Sequence, residues 1–385
     1  MSSADPFTAA EVALTETEHQ KYRQIHKQYY VDTTMAADRP LVIILAGQPG
    51  SGKSALKTDA GRSFLKDARP VVVDVDILRE SHPSYVALKK QNDRTAAGKV
   101  QEDAGRWADE LVSDARVARR NVVIDGTLKS PDKAEALCRT FKQAGYRVEV
   151  RAMAVRHEDS VLGVYRRFEA QKAIGKNGRW VDLEVHDSAY EGLPASIDCL
   201  NRSDYVDKIE IYGRSPSREK GVQQLYSAPP RNGDPVEVLL TERSRNREPH
   251  ERQWYLSEAE KVVGQIEKRD PNLLEPENRE FVERLRAREE QAPDPEVTTR
   301  ADAGNRSVDD PARIQSDTDS RLMVGRGREL RQSVLDRWAA AESAVPGAVA
   351  NVKTDGHPTR LSSTAERWNA VDEKSEPSNR EVSRD

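Results

Sequence analysis

The chain reads Leu41-Val42-Ile43-Ile44-Leu45-Ala46-Gly47-Gln48-Pro49-Gly50-Ser51-Gly52-Lys53-Ser54. The apolar run at its start is typical of a strand buried on both faces of a sheet. The rest satisfies G-x-x-x-x-G-K-[ST], and a helix-compatible run begins at Lys53. Glycines let the backbone curl so that its N–H groups point inward, where they and the helix N-terminus bind phosphate oxygens. This stretch therefore predicts a nucleotide-binding P-loop that follows a buried strand.

Two side chains of this loop carry its predicted chemistry. Lys53 is expected to reach the β- and γ-phosphates of a bound triphosphate, and the Ser54 hydroxyl is expected to ligate Mg²⁺. The whole octet from Gly47 to Ser54 is expected to line the nucleotide site. The sequence therefore predicts ATP and Mg²⁺ as cofactors.

Further β-rich runs alternate with helical stretches downstream of the loop. Short runs separated by helices imply parallel strands with crossover helices on both faces of the sheet. We therefore predict an α/β domain over residues 36–215, with a P-loop kinase-like parallel sheet flanked by helices. The predicted strands after Leu41–Ala46 are Val71–Asp76, Asn121–Asp125, Arg147–Val155 and Val206–Tyr212.

The segments on either side of this domain are more polar. Residues 1–35 are expected to form a helical segment packed on the domain, with the helix from about residue 11 to residue 30. Residues 216–290 are expected to form a partly helical extension. There the run Val236–Leu240 favours a brief strand, and helices are expected at about Ser257–Lys268 and Glu277–Arg288.

Residues 291–385 contain few apolar side chains and are expected to be mostly disordered. One amphipathic helix is predicted near residues 327–343, where Leu330, Val334 and Trp338 recur at helical spacing. This helix is either a face that docks a partner or a surface extension. Apolar anchors on a polar segment suit binding in a groove.

Composition narrows the class of protein. Charged residues make up 33% of the 385 residues and aromatic residues 5%, which is polar for one compact domain. A formal net charge of −4 offers no global basic field, so we expect no nucleic-acid partner. No apolar run approaches the ~20 residues that span a bilayer, so we expect no membrane partner. With no signal-like start and with Cys138 and Cys199 as free thiols, we expect a cytoplasmic protein.

Phosphoryl transfer to an alcohol needs a base near the acceptor, because a hydroxyl is a poor nucleophile near neutral pH. Ligands of open α/β sheets bind outside the carboxyl ends of the strands. Asp74 and Asp76 stand at the end of the second predicted strand. One of them is a candidate base and the other a structural or metal-shell group. The alternative is a pair of strand-end caps without chemistry.

Other polar residues stand where a kinase would need them. Arg79 is either a clamp for an anionic substrate or a surface arginine. Asp125 and Thr127 end the third predicted strand, where they suit either sugar-like hydroxyls or an ordinary turn. Arg167 and Arg179 are candidates for a mobile lid, because phosphoryl transfer spreads negative charge over the equatorial oxygens.

Together these motifs resemble the zeta toxin family of bacterial toxin–antitoxin systems. The match runs through most of residues 40–215, and several ordered motifs are far more specific than a P-loop alone. In family order the matching pieces are the P-loop, Val73–Asp76 with His82-Pro83, Ile124–Thr127, Ala152–Val155 with Ser160, Arg167 and Arg179, and His186-Asp187 with Leu193-Pro194.

The resemblance implies an activity. Zeta toxins are kinases that phosphorylate the 3′-hydroxyl of the amino sugar in UDP-N-acetylglucosamine, and the product starves peptidoglycan synthesis. Carried onto this chain, the resemblance makes Asp76 the general base and Lys53 the phosphate anchor. Arg167 and Arg179 would stabilise the transferring phosphoryl group. The sugar-nucleotide site would be lined by Asp109, Asp125, Thr127 and Lys129, with Arg79 as a further candidate.

Three positions depart from the family pattern. The family usually has Glu where Asp109 and Asp125 stand, and Arg where Lys129 stands. Shortening a carboxylate by one methylene removes roughly 1.5 Å of reach, and lysine lacks the bidentate fork of arginine. A related sugar nucleotide, or NAD as in a zeta-like group of plant-pathogen effectors, therefore stays open as the acceptor. So does a P-loop NTPase switch with water as the acceptor.

The resemblance also implies an antitoxin partner. Family antitoxins block the ATP site with a helix, and the helical segment over residues 1–35 is a candidate for part of that contact. The polar tail past residue 215 has no strong counterpart in the shortest zeta toxins.

Overall fold

Six strands form one sheet within residues 8–64, 69–215 and 221–290, which are the parts of the chain that the computed structural model describes. The strands are β1 (Leu41–Ala46), β2 (Val71–Asp74), β3 (Val122–Asp125), β4 (Arg147–Met153), β5 (Lys208–Arg214) and β6 (Val222–Ala228). Their order across the sheet is β2-β3-β1-β4-β5-β6. Neighbours from β2 to β5 are parallel, and β6 pairs antiparallel with β5. The predicted α/β class is confirmed.

Helices connect the strands and cover both faces of the sheet. Before β2 they are α1 (Ala9–Val12), α2 (Glu16–His26), a π-helical turn (Lys27–Val31) and α3 (Lys53–Gly61). Between β2 and β5 they are α4 (Val75–Glu80), α5 (Tyr85–Gln91), α6 (Ala96–Lys99), α7 (Gln101–Val117), α8 (Pro131–Gln143), α9 (His157–Ala173) and α10 (Leu183–Arg202). After β6 come α11 (Pro235–Ser244), α12 (Pro249–Arg269) and α13 (Pro276–Glu290).

The central strand β1 shows why its run is apolar without alternation. Val42 and Ile44 face a core that α7, α8, α10 and α11 complete, while Ile43 and Leu45 face a smaller core against Leu56 of α3. All five of these side chains are fully buried. A strand covered on both faces needs an apolar residue at every position.

The parallel strands bring three sequence motifs to one edge of the sheet. In the register of the sheet, Asp125 at the end of β3 lies beside Leu45 of β1 on one side and beside Asp74 of β2 on the other. The P-loop follows β1 directly. The carboxyl ends of these strands therefore meet where the ligands of α/β proteins bind.

Strand β2 is shorter than the sequence indicates, because its last two predicted residues are helical. It ends at Asp74, whose Oδ1 accepts the N–H of Asp76 at 2.9 Å and so caps α4. Asp76 consequently lies in the first turn of α4 rather than on the strand. The helix turns its side chain toward the P-loop edge of the sheet.

The prediction of a strand at Val236–Leu240 is wrong, because these residues lie in α11. Asp234 Oδ1 accepts the N–H groups of Val236 and Glu237 at 3.1 and 3.0 Å, and Pro235 occupies the first turn. These are helix-start signals. The apolar side chains then pack against the sheet at helical spacing.

The sheet continues past residue 215, where we expected the kinase domain to end. Strand β6 adds an antiparallel edge, and its side chains are half-buried or exposed. An edge strand of this kind lacks a continuous apolar run, so it was not predicted from the sequence.

The two predicted helices of the 216–290 segment are present as α12 and α13, and both are longer than expected. They form a second apolar cluster with α9, which includes Phe168, Tyr255 and Val262. Within it the rings of Tyr165 and Phe281 stack with centroids 3.9 Å apart. The helices after the sheet are therefore packed on the domain that carries the P-loop.

The helix predicted over residues 11–30 is divided into α1, α2 and the π-helical turn, and α2 packs on α7 through Trp107, whose Nε1–H bonds the carbonyl of His19 at 3.1 Å. The helix predicted near residues 327–343 lies outside the described residues. Within the described parts of the chain, every helix is too short or too polar to cross a membrane.

Candidate active site

A broad pocket opens at the carboxyl edge of the sheet, with a volume of about 1570 Å³. Its lining comes from the P-loop, α4, the ends of β2 and β3, α9, the loop before α10 and the first half of α12. Sites for one drug-sized ligand usually measure ~300–1,000 Å³. This pocket therefore has room for two substrates.

Glycines shape the loop and bring it against α9. Gly50 and Gly52 have φ angles of +75° and +97°, in the left-handed region that side chains disfavour. A Cβ atom at Gly50 would lie 2.0 Å from the carbonyl oxygen of Ser160. Both the turn and the close approach to α9 therefore require glycine at position 50.

Two long side chains hold the loop from behind. Gln48 is fully buried, and its Nε2 donates to the carbonyl of Val155 and to Ser160 Oγ, each at 3.1 Å. Arg214 at the end of β5 donates through Nη2 to the carbonyl of Gly50 at 2.7 Å. Burial lowers the pKa of Arg214. These bonds hold the loop against the start of α9 and the end of β5.

Lys53 begins α3 and lies along the inside of the loop. Its Nζ donates to the carbonyls of Gly47 at 2.6 Å and Gln48 at 3.2 Å. Burial lowers the pKa of Lys53, and the nearby carboxylates of Asp125 and Asp76 oppose that shift. The ammonium is thus poised beside the loop that would hold phosphates. Ser54 follows it and is exposed to the pocket.

Lys57, one turn further along α3, joins the ends of two strands. Its Nζ lies 2.5 Å from Asp74 Oδ2 and 2.8 Å from Asp125 Oδ2. Burial lowers the pKa of Lys57, but the two carboxylates outweigh it and raise the pKa overall. For Asp74, burial is the largest influence and raises the pKa, yet Lys57 and Arg179 reverse it and the net pKa is lowered. The two strand ends are therefore coupled through one cation.

Asp76 is held by two arginines from different parts of the chain. One oxygen of its carboxylate pairs with Arg79, a turn later in α4, and the other pairs with Arg179 from the loop before α10. Arg79 also bonds the side-chain oxygen of Gln101. The three predicted site residues Asp76, Arg79 and Arg179 are thus brought together, and they fix the carboxylate at the wall of the pocket.

Arg167 of α9 faces the same space without a carboxylate partner among the described residues. Its Nε and Nη2 atoms are buried and lack a hydrogen-bond acceptor. Burial and the charge of Arg179 lower the pKa of Arg167 to about 10. A buried guanidinium with unpaired donors is costly unless an anion meets it. The position suits a phosphoryl group between the loop and Asp76.

The predicted acceptor residues divide into two groups. Asp125, Thr127 and Lys129 line the pocket. Asp109 does not, since it is exposed on α7 and lies outside the lining. Among the described residues, α7 contributes only Gln101, at its start, to the lining, so the pocket does not include Asp109.

A family model described as Zeta toxin matches residues 27–229, more than half of the chain. The chain belongs to the zeta toxin family. The match begins in the π-helical turn before β1 and ends just after β6, so it covers the whole sheet. The recognition made from the motifs is confirmed, and with it the kinase-like P-loop fold.

Named relatives of this zeta toxin family member include toxins. Toxin PezT of Streptococcus pneumoniae serotype 4 is 28% identical over 183 residues, which is 47% of this chain and 72% of PezT. Toxin zeta of Enterococcus hirae is 26% identical over 211 residues, which is 54% of this chain and 71% of that toxin. A solved structure of the PezAT chromosomal toxin–antitoxin system of S. pneumoniae has a TM-score of 0.57 and 21% identity, covering 66% of this chain and 99% of that one. That structure shows the same fold.

Several pocket residues of this zeta toxin family member were not predicted from the sequence. Arg94 lies with its guanidinium 4.0 Å from the ring centroid of Trp180, and both line the pocket. Lys57 and Arg214 lie in an ordinary helix and at a strand end. None of the four belongs to a contiguous motif, so only the spacing of Lys57, one turn after Lys53 on the same helix face, offered a signal.

Proposed function

We propose that this protein is an ATP-dependent kinase that phosphorylates a hydroxyl of a nucleotide-linked sugar. The observation that carries the proposal is the placement of Asp76. Its carboxylate is fixed by Arg79 and Arg179 in the same pocket that the P-loop and Lys53 line. A base, a phosphate anchor and unpaired arginine donors thus share one cavity that has room for two substrates.

In the proposed reaction the acceptor hydroxyl lies between Asp76 and the terminal phosphate of ATP. Asp76 takes the hydroxyl proton as the acceptor oxygen forms a bond to the γ-phosphorus. The bond from that phosphorus to the β,γ-bridging oxygen breaks, and ADP leaves with the electron pair. Lys53 and Arg167 neutralise the charge that spreads over the phosphoryl oxygens. The products are ADP and a phosphomonoester.

The residues of the loop fit a Mg²⁺–nucleotide. A Cβ built at Gly52 meets nothing closer than 3.8 Å, so that side of the loop is open toward the pocket. The Ser54 hydroxyl at the start of α3 is the proposed metal ligand. Bound there, Mg²⁺ would neutralise phosphate charge. Ser51 Oγ, buried and without a partner among the described residues, is a further donor at the loop.

UDP-N-acetylglucosamine, with transfer to its 3′-hydroxyl, is the acceptor that we propose. Asp125, Thr127 and Lys129 line the pocket and supply a carboxylate, a hydroxyl and an ammonium for sugar hydroxyls and diphosphate. The Asp125 carboxylate is also shared with Lys57, which restricts its reach. Asp125 is one methylene shorter than the glutamate usual in the family, and Lys57 holds its carboxylate. Because these two features could change the acceptor, NAD is the second acceptor to test.

The relatives named as toxins support a role as a zeta-like toxin with an antitoxin partner. We propose that such a partner covers the nucleotide side of the pocket. A toxin of this kind would consume its acceptor in the cell, so activity toward the acceptor should decide the toxicity.

Mass spectrometry of a metabolite extract tests the proposed acceptor. The extract is incubated with the protein, Mg²⁺ and ATP, and compared with a sample that contains the Asp76→Asn variant. We expect one species to gain the mass of one phosphoryl group only with the wild-type protein, and we expect UDP-N-acetylglucosamine to be that species. Phosphorylation of NAD instead would replace the acceptor but keep the kinase. Release of inorganic phosphate alone would point to a water-accepting NTPase.

A further inference from the structure

A cluster of two histidines and one aspartate joins the start of α9 to the first turns of α10, outside the lining of the nucleotide pocket. His157 Nε2 and His186 Nδ1 each lie 2.7 Å from Oδ1 of Asp187. One ligand atom from each residue lies within 4.8 Å of the other two. We propose that this cluster binds one Zn²⁺ ion, which clamps α9 to α10 behind the P-loop.

The ligand set and its spacing suit this ion. Zn²⁺ takes imidazole nitrogens and carboxylate oxygens at ~2.0–2.2 Å in a tetrahedron, which places ligand atoms roughly 3.3 Å apart. In the cluster, the ligand atoms are 2.7 Å apart at the two contacts with Asp187 and at most 4.8 Å apart elsewhere. The spacing that Zn²⁺ requires lies between these two distances. Small rotations of the two rings about their side-chain bonds would therefore open the cluster around an ion. Three protein ligands leave the fourth position for water.

Ser160 prepares His186 for metal binding through its second ring nitrogen. Ser160 Oγ lies 2.8 Å from His186 Nε2 and 2.8 Å from the carbonyl of His157. The serine has one hydrogen, and in a helix it commonly bonds the carbonyl three or four residues earlier. Without an ion, His186 Nδ1 and His157 Nε2 both donate to Oδ1 of Asp187, because a carboxylate only accepts. When the ion replaces these two hydrogens, the His186 proton lies on Nε2 and is donated to Ser160, which leaves the Nδ1 lone pair for the ion.

This arrangement is the outer shell that zinc-binding histidines usually have, in which the free ring nitrogen donates to a fixed acceptor. Ser160 also accepts a hydrogen bond from Gln48 at 3.1 Å. The proposed site is therefore linked to the back of the P-loop through two side chains. Binding of the ion would stiffen the support of the loop without touching the nucleotide.

The distances among Ser160, His186 and Asp187 also match those of a nucleophilic triad. Catalysis by a triad is excluded, however, because a substrate cannot reach the serine. Ser160 and His186 are fully buried, so no substrate reaches the serine oxygen. Access from solvent exists at the other end of the cluster, where the side chains of His157 and Asp187 are 35% and 46% exposed. An ion can enter there, whereas a substrate cannot reach Ser160.

The test uses the full chain without a histidine tag and without nucleotide, stripped of metal by a chelator. It is titrated with Co²⁺, whose visible absorption reports tetrahedral nitrogen and oxygen ligands, and then with Zn²⁺. We expect one Co²⁺ per chain and its displacement by one Zn²⁺. A competing chelator of known affinity gives the dissociation constant, so the readout does not depend on kinase activity.

Two variants locate the site, a third tests its support by Ser160, and a fourth serves as the control. His157→Ala and Asp187→Ala change partly exposed side chains and should weaken Zn²⁺ binding by more than about 100-fold, beyond the ~10- to 100-fold effect of losing a supporting group. Ser160→Ala should fall within that smaller range. His250→Ala, an exposed histidine of α12, should bind like the wild type. Absence of the Co²⁺ signal, or equal binding by wild type and the His157→Ala variant, would overturn the proposal.

Discussion

The two sides of the pocket are held in place by different kinds of structure. The phosphate side is one contiguous loop, residues 47–54, shaped by glycine backbone and braced from behind by Gln48 and Arg214. The acceptor side is assembled from α3, α4, the ends of β2 and β3, and the loop before α10. Its residues are joined by ion pairs, as in Lys57 with Asp74 and Asp125, and in Asp76 with Arg179.

This difference has a functional meaning. A loop fixed by backbone geometry suits a ligand that every member of a kinase class shares, which is the triphosphate. Ion pairs between separate elements can be re-formed when one partner changes, so we expect the proposed acceptor side to tolerate more substitutions than the proposed phosphate side. The Asp125 and Lys129 departures from the family pattern both lie on that variable side.

The largest effect expected is from Asp76→Asn, which removes the proposed base but keeps the size of the side chain. General-base catalysis contributes ~10²–10⁴-fold, so kcat for phosphomonoester formation should fall by about that factor. The ATP affinity, measured by calorimetry, should stay within about threefold, because the loop is untouched. A variant that turns over at the wild-type rate would remove Asp76 from the mechanism.

The Gly50→Ala substitution on the phosphate side should weaken ATP binding, unlike Asp76→Asn. The new methyl group would lie 2.0 Å from the Ser160 carbonyl, on a backbone with φ of +75°. Strain of ~1–3 kcal/mol at such a position predicts ATP binding that is weaker by roughly 10- to 100-fold. The main effect of Gly50→Ala is therefore a lower affinity for ATP, whereas the main effect of Asp76→Asn is a lower kcat.

Gly264→Ala in α12 is the matched control for that substitution. A Cβ there meets nothing within 4 Å, and alanine favours a helix over glycine by ~1 kcal/mol. ATP binding should be unchanged and thermal stability should rise slightly. Equal losses of ATP affinity in both alanine variants would show that the Gly50 effect is not local.

The ion pairs of the acceptor side should give a pH signature. The pKa of Asp74 is lowered below its ordinary value of 3.8, so its stabilising contribution is full above that pH and is lost as the pH falls through the lower value. Asp74→Asn should cost about 1–3 kcal/mol of unfolding free energy at pH 7. Denaturant unfolding at matched pH should show the gap between wild type and variant shrinking below pH ~3.8. A gap that is constant from pH 7 to pH 3 would contradict the charge-based account.

The smallest effect is expected at Asp109, where the sequence-based expectation and the structure disagree. Because Asp109 is exposed on α7 outside the pocket, Asp109→Asn should change kcat/KM by less than about twofold, as is usual for a surface substitution away from special features. A loss of tenfold or more would restore the residue to the substrate site and imply that α7 moves when the acceptor binds.

The loop of the phosphate side, residues 47–54, could be predicted from the sequence, because its residues are contiguous and their spacing alone defines the turn. The brace from Arg214 at the end of β5 could not be predicted. The position of Asp76 near the end of β2 was also predictable, but its ion pair with Arg179 was not. That pair joins residues about one hundred positions apart, and nothing local specifies it. Lys57 escaped prediction for the same reason, since its role exists only because β2 and β3 are neighbours.

Two differences between expectation and structure have equally physical causes. Asp109 was assigned to the site by the family resemblance, whereas the phase of α7 directs Trp107, Ala108 and Leu111 into the core and leaves Asp109 exposed outside the pocket lining. The run Val236–Leu240 is apolar enough for a strand, yet the cap formed by Asp234 starts a helix there. Local start signals therefore outweighed β-propensity.

The most direct test of the proposed kinase measures ADP and phosphomonoester together, with purified protein, Mg²⁺, ATP and UDP-N-acetylglucosamine. The account predicts one phosphomonoester for each ADP, negligible ADP when the acceptor is left out, and loss of both products with Asp76→Asn. ADP formed at the same rate without any acceptor, and unaffected by Asp76→Asn, would contradict it.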